Sequence, residues 1–256
     1  MRSTIPLALL VASAAGAQNV RIIRFAESKP FQMGSVTSRR IIHPDLGARN
    51  LTLNFSVSRR GAEFAQHVHD ESDDTILMLA GEADLRQGGS RRGFRTGECV
   101  FVPAGQVHGT ITTGPGDTIM ISFQTPPDLK LYTGARDSSK PGAAPPGGAI
   151  TPGAVKYFRF DQRNGEFLNP AMGSKHASAS YWRLKRSQTF KSEAGAGAER
   201  FLFVWRGGIE VTLDGEVHTV GERDTAFVTN PGVMTVRAVS GEAVVIHVQA
   251  PPGVSR

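Results

Sequence analysis

The residues best equipped for chemistry in this chain are His67, His69, Asp74 and His108, spaced by Gly61, Gly81, Gly97, Pro103 and Gly105. Alternate side chains of an extended strand face the same way, so His67 and His69 project together from one face. Asp74 follows a short polar turn, residues 70–73, and belongs to the next strand. His108 follows a second turn that carries Pro103-Ala-Gly105. Glycine supplies positive φ and proline fixes a bend, which is the turn chemistry two hairpins need. One His-x-His pair on a surface strand is usually two solvated side chains. Three imidazoles and a carboxylate brought to one point make a site for one divalent metal ion. Such donors suit Fe, Mn, Cu, Ni or Zn rather than Ca or Mg.

Two elements must position these groups, and both follow a known pattern. Gly61, His67, His69, Asp74 and Gly81 fit a first motif of Gly, five residues, His-x-His, a carboxylate, six residues and Gly. Gly97, Pro103, Gly105 and His108 fit a second motif of Gly, five residues, Pro-x-Gly, two residues and His. Together they resemble the cupin superfamily closely. The departures are Asp74 where the family usually has Glu, and Thr112 where it usually has Asn. Asp is one methylene shorter, so the metal would sit closer to that strand or be reached through water. Glu71 and Asp73 are rival carboxylates, and Asp74 is preferred on its spacing from Gly81.

The chain also overlays on itself at an offset of 126 residues. Gly81 meets Gly207, Phe101-Val102 meets Phe227-Val228, Phe64 meets Phe190, and Phe55 meets Tyr181. Self-similarity at domain length implies two copies of one fold. In the second copy His67 falls on Glu193, His69 on Gly195, Asp74 on Arg200 and His108 on Met234. That copy is expected to be metal-free, with His43, His176, His218 and His247 as surface or structural residues. Short apolar strands alternate with Gly, Asp and Pro turns, and no long helical period appears. The expected fold class is all-β, two tandem cupin (double-stranded β-helix, jelly-roll) barrels, one metal-binding and one degenerate.

The expected boundaries are a signal peptide over 1–17, a metal-binding barrel over 18–135, a Pro/Gly-rich linker over 136–153 and the degenerate barrel over 154–256. Met1-Arg2, an apolar run from Ile5 to Ala15 and the small residues Ala15-Gly16-Ala17 read as a secretion signal. No later segment is long enough to span a bilayer, and no Cys follows the signal, so a secreted or periplasmic protein without a membrane anchor is expected. Cys99 is the only cysteine, which excludes an intramolecular disulfide, and its apolar strand makes it a packed hydrophobe. The net charge of +6 comes from scattered basic residues such as Arg39-Arg40, Arg59-Arg60 and Arg91-Arg92. With few aromatics interleaved, nucleic acid is not an expected partner, and attraction of an anionic substrate is the milder reading.

Residues 75–80, where five apolar side chains follow Thr75, and residues 201–205 carry apolar residues without alternation, so both strand faces must be covered. The two strands are expected to meet across an inter-barrel interface, the alternative being a homodimer contact. Gln66, Thr110 and Thr112 are candidate partners for the histidine rings, and Phe64, Met78, Phe101 and Phe123 candidate pocket walls. Glu63 and Glu71 are the candidate general bases, on sequence proximity alone.

Four protein ligands leave one or two positions for water, dioxygen or substrate. The resemblance implies a broad range of activities, because fold does not fix function. Secreted two-barrel cupins resemble mainly flavonol dioxygenases and oxalate decarboxylases, and the latter commonly carry metal in both barrels. The expectation is therefore an enzyme, a dioxygenase-like oxidoreductase acting on a small organic or aromatic substrate at one metal ion. The alternatives are a non-catalytic module binding a small molecule or sugar, and a metal-dependent lyase or isomerase on carbohydrate acids.

Overall fold

The computed structural model describes residues 20–33, 35–132 and 147–252. The expected signal peptide and residues 136–146 of the expected linker lie outside the described residues. The described residues form four antiparallel sheets, two in each half, and one short helix, Leu129–Tyr132. The fold is all-β and is built as two jelly-roll barrels.

In the first half a large sheet runs in the order Lys156–Arg159, Glu98–Val102, Asp73–Ala80, Thr118–Thr125, Leu53–Ser58, Val36–Ile42 and Lys29–Met33. A smaller sheet of Glu63–His67, His108–Thr112, Glu82–Gln87 and Ser90–Arg95 closes over it. The second half repeats the plan, with Glu199–Arg206 and Glu242–Ala250 central in its large sheet. Each half lends a leading strand to the other. Val20–Ile23 pairs with Thr225–Val228, and Lys156–Arg159 pairs with Glu98–Val102. The two receiving strands are equivalent under the internal repeat, so the exchange is reciprocal.

The strands apolar without alternation explain the packing. In Asp73–Ala80, Ile76 and Met78 face the first lumen with Val100, Val102 and Met120. Leu77 and Leu79 point the other way, into a core shared with Phe201 and Phe203. Leu202 and Val204 line the second lumen. The outer faces of both strands are therefore covered within one core shared by the two barrels. Phe123 lies edge-on to Phe201 with ring centroids 5.9 Å apart, and Phe55 packs on Phe203 at 6.1 Å. Cys99 is fully buried in this shared core, and burial pushes its thiol pKa well above the usual value.

A carboxylate of the second half ties it to the first. Glu199 accepts the backbone N–H groups of Arg49 and Asn50 at 2.7 and 2.9 Å. Its counterpart Asp73 accepts the Ala104 N–H at 3.0 Å and lies near Lys175 of the second half. Arg49 and Lys175 are themselves equivalent, each following a 3-10 turn that ends on a positive-φ glycine, Gly47 or Gly173. Gly81 also requires the absence of a side chain: at φ 86° a Cβ there would lie 2.8 Å from the Asp117 carbonyl oxygen.

The second lumen holds its own cation. Arg200 is fully buried, and its guanidinium donates to the carbonyls of Ser192, Gly232 and Asn230 at 2.8–3.0 Å. Burial lowers its pKa to about 10, which leaves it charged at neutral pH. His247 is buried in the same barrel, 3.1 Å from the Ser192 hydroxyl. Burial first, and Arg200 second, lower its pKa to about 3.

Two outcomes test this packing. Phe203→Ala should lower unfolding stability by about 3–5 kcal/mol, read from urea denaturation, since the shared core cannot collapse around the lost ring. His247 has its folded pKa below the unfolded value of about 6.5, so the unfolded chain takes up the proton first and stability falls as pH drops below that value. His247→Asn should therefore make the acid-side loss of stability between pH ~6 and ~4 shallower, by up to ~1.4 kcal/mol per pH unit.

Candidate metal centre

The strand Glu63–His67 pairs with His108–Thr112 so that His67 stands directly opposite His108, and a bulge follows at once between His108 and Thr110. Gly109 sits in that bulge, where a Cβ would come within 2.7 Å of the Phe64 carbonyl oxygen, so only glycine lets the two strands approach. His69 lies just past the strand end and is pinned by its carbonyl, which accepts the Gly105 N–H at 2.6 Å. Asp74 enters from the large sheet, opposite Val102 on one side and Gln124 on the other.

These elements bring one ligand atom each of His67, His69, Asp74 and His108 within 4.8 Å of one another. All four residues are buried, none more than 5% exposed. The Nε2 atoms of His67 and His69 are 3.1 Å apart, His108 Nε2 is 3.2 Å from Asp74 Oδ2, and His69 Nε2 is 3.8 Å from the same oxygen. Ligands about 2.1 Å from a metal in adjacent positions sit about 3 Å apart, so the spacing fits one ion.

Each imidazole turns the same nitrogen inward because the other is held from behind. His67 Nδ1 donates to the Ala65 carbonyl at 2.9 Å, and His108 Nδ1 to the Gln106 carbonyl at 3.0 Å. His69 Nδ1 donates to the Asp128 carboxylate at 2.8 Å. Fixing Nδ1 as the donor leaves the three Nε2 lone pairs free for a cation. Burial, followed by the neighbouring imidazoles, lowers the His67 pKa well below its usual value. Burial also opposes the charged form of His69, but hydrogen bonds to Asp128 and Asp74 outweigh it and raise the pKa. Burial would raise the pKa of Asp74, yet His108 and His69 hold it well below the usual carboxylate range. An ionised carboxylate beside imidazole lone pairs is a donor set for a divalent cation. Asp74 Oδ1, buried and without a hydrogen-bond partner, is a further acceptor at the same point.

The rival carboxylates lie elsewhere. Asp73 turns toward Ala104, as strand alternation requires, and Glu71 is exposed. Glu63 pairs with Arg86, and neither Glu63 nor Glu71 lines the cavity beside the cluster. Of the expected ring partners, Gln66 bonds the backbone of Gly88, Thr112 meets Thr118, and Thr110 lines the cavity without holding a histidine. Two backbone carbonyls and Asp128 do that work instead. Asp128 lies 59 residues from His69, and no local signal marks it. Of the expected walls, Phe64 lines the cavity, Met78 packs deeper in the lumen, and Phe101 and Phe123 face the inter-barrel core.

That cavity measures about 40 Å³ and is bounded by His67, Asp74 and His108, with Phe64, Val36, Ile76 and Met120 as apolar walls. Ser56, Thr110 and Ser122 supply hydroxyls.

Residues 56–123 match the family model described as a cupin domain. No curated protein sequence gives a match. Among solved structures, YhhW from Escherichia coli superposes with a TM-score of 0.69 at 16% identity, over 93% of this chain and 100% of that one. The nickel(II) complex of that protein, described as a bacterial pirin, gives the same score and identity over 92% of this chain and 100% of that one. Oxalate decarboxylase from Bacillus subtilis, described with Mn(II) centres, gives 0.65 at 13% identity over 92% of this chain and 78% of that one. Residues 56–123 thus resemble a cupin domain, and the whole chain shares the two-barrel fold of these solved structures. Its buried His/His/Asp/His cluster fits a single divalent metal ion.

The ring partner behind His69 gives a direct test. Asp128→Ala should weaken Ni²⁺ binding about 10–100-fold, measured by calorimetric titration of metal-free protein, because the ring loses the acceptor that orients it. Glu71→Ala, at an exposed carboxylate, should leave affinity unchanged.

Proposed function

We propose that this protein is an exported oxidoreductase that uses one divalent metal ion, held by His67, His69, Asp74 and His108, to bring dioxygen to a small polar organic substrate. The observation that carries the reading is the convergence of three inward Nε2 atoms and one ionised carboxylate on a point bordering a lumen cavity. Nickel in the pirin YhhW and manganese in the oxalate decarboxylase support a transition metal in this fold.

When bound, the metal supplies Lewis acidity and, if redox-active, electron transfer to dioxygen. The remaining roles belong to the chain. Asp74 contributes the negative charge that offsets part of the cation's, and the two carbonyls with Asp128 keep all three rings in one tautomer. Phe64, Val36, Ile76 and Met120 exclude bulk water, while Ser56, Ser122 and Thr110 offer hydrogen bonds that orient a polar ligand. The cavity has room for about three waters, at roughly 10–15 Å³ each. That volume favours a short acid or a similarly small molecule over a polycyclic aromatic, whose pockets run to about 300 Å³ and more.

One observation favours a second reading, a binding module in which the metal anchors a ligand. Apart from the cluster, the residues lining the cavity carry no titratable side chain that would move a proton. Elemental analysis and oxygen uptake separate the two. About one equivalent of Fe, Mn, Cu or Ni, lost in His67→Ala without loss of fold, together with oxygen consumption dependent on a small carboxylic or hydroxy acid, is the expected outcome. One equivalent of metal with no turnover of any such compound would leave the binding module, and an equivalent of Zn would turn the search to lyase or isomerase chemistry.

A further inference from the structure

Gln124 is the one group at the centre that neither the spacing of the histidines nor the carboxylate accounts for. It lies on the strand Thr118–Thr125, directly opposite Asp74. Side chains at opposed positions of antiparallel strands share a face, so both project into the first lumen. Alternation along the strand agrees: Met120 and Ser122 line the cavity, while Ile121 and Phe123 pack between the barrels. The Gln124 backbone is anchored from both sides by Thr52, whose N–H donates to the Gln124 carbonyl at 3.0 Å and whose hydroxyl accepts the Gln124 N–H at 3.1 Å.

The carboxamide is 3% exposed, and its Nε2 lies 3.4 Å from His69 Nε2. Its Oε1 is buried without a hydrogen-bond partner, as is Oδ1 of the adjacent Asp74. Two acceptors on neighbouring strands beside the imidazole cluster are thus buried and unpaired, and a cation bound there would satisfy them. Leaving either unpaired is costly. The His69 lone pair settles which way the amide faces when metal is present. His69 Nδ1–H is committed to Asp128, so Nε2 has one lone pair, which either accepts the amide N–H or binds a metal. Metal binding therefore displaces that hydrogen bond. A half-turn of the terminal torsion then exchanges Nε2 for Oε1, close to the separation of adjacent ligands of one ion, about 3 Å.

On this basis, and resting on the metal-centre reading above, we infer that Gln124 is a fifth protein ligand, binding the metal through Oε1. The centre then has three imidazole nitrogens and two oxygens of different charge, and an octahedral ion keeps a single position for an exogenous ligand. The second barrel keeps glutamine at the matching place, with Gln249 opposite Arg200. There the cation is the arginine itself.

The test uses metal-free full-length protein titrated with Co²⁺ alone, following affinity and the visible d–d absorption. Gln124→Leu is near in volume and lacks the oxygen. It should bind Co²⁺ about 10–100-fold more weakly and with an altered absorption spectrum, since one oxygen donor is lost. Gln124→Glu retains an oxygen at that position and should keep or tighten binding, with a spectrum that again differs from the leucine variant. It keeps the inference testable if the leucine variant does not fold. A folded Gln124→Leu with wild-type affinity and spectrum, or a folded Gln124→Glu that loses the metal, would overturn the inference while leaving the four-residue centre standing. Failure of the wild-type protein itself to take up Co²⁺, Ni²⁺, Mn²⁺ or Fe²⁺ would overturn both.

Discussion

Strands buried on both faces govern this molecule. In Asp73–Ala80 every second residue looks into the first barrel and the others look toward the second barrel. A slip of one residue would exchange the sets, turning Asp74 toward the other barrel and leaving Asp73 or Thr75 at the metal cluster. The register is held from both edges, by Glu98–Val102 on one side and Thr118–Thr125 on the other. Site geometry and inter-barrel packing are therefore fixed by one alternation. Its mirror in Glu199–Arg206 makes the two halves complementary, and the exchanged strands follow from the same symmetry.

Equivalent positions in the two lumens solve one electrostatic problem in opposite ways. In the first, Asp74 and three imidazoles gather lone pairs and a negative charge around a point that fits a divalent cation. In the second, Arg200 carries the charge on the chain and spends its donors on three carbonyls. A fixed guanidinium repels a divalent ion, and Met234 fills the place of His108 with apolar volume. The second barrel thereby becomes a support, contributing the core against which the large sheet of the first barrel is held rigid.

Rigidity matters because the centre depends on ring orientation within a few tenths of an ångström. Backbone carbonyls two residues upstream hold two histidines, and Asp128 holds the third from beyond the end of Thr118–Thr125. Asp128 also accepts the Lys130 N–H at 2.9 Å, so its carboxylate is fixed by the short helix it precedes. A metal site assembled from turns, strands and a helix start needs the entire barrel to be folded before it exists. A cavity of about 40 Å³ then limits what can share it.

The sequence by itself determined the ligand types, their order and the two-barrel plan, because those rest on local rules. Strand period places His67 with His69, turn residues bound the hairpins, and the repeat exposes the positions where the second copy has lost its ligands. It also marked residues 75–80 and 201–205 as doubly buried, since apolar residues without alternation leave no face for water. Tertiary structure alone decided which face each residue of those strands takes and what stands behind each ring. Phe101 and Phe123 looked like pocket walls in isolation and belong to the inter-barrel core. Asp128 and Gln124 reach His69 from 59 and 55 residues away. Such contacts carry no local pattern: they depend on the relative offset of strands joined by long connections, which is set by packing.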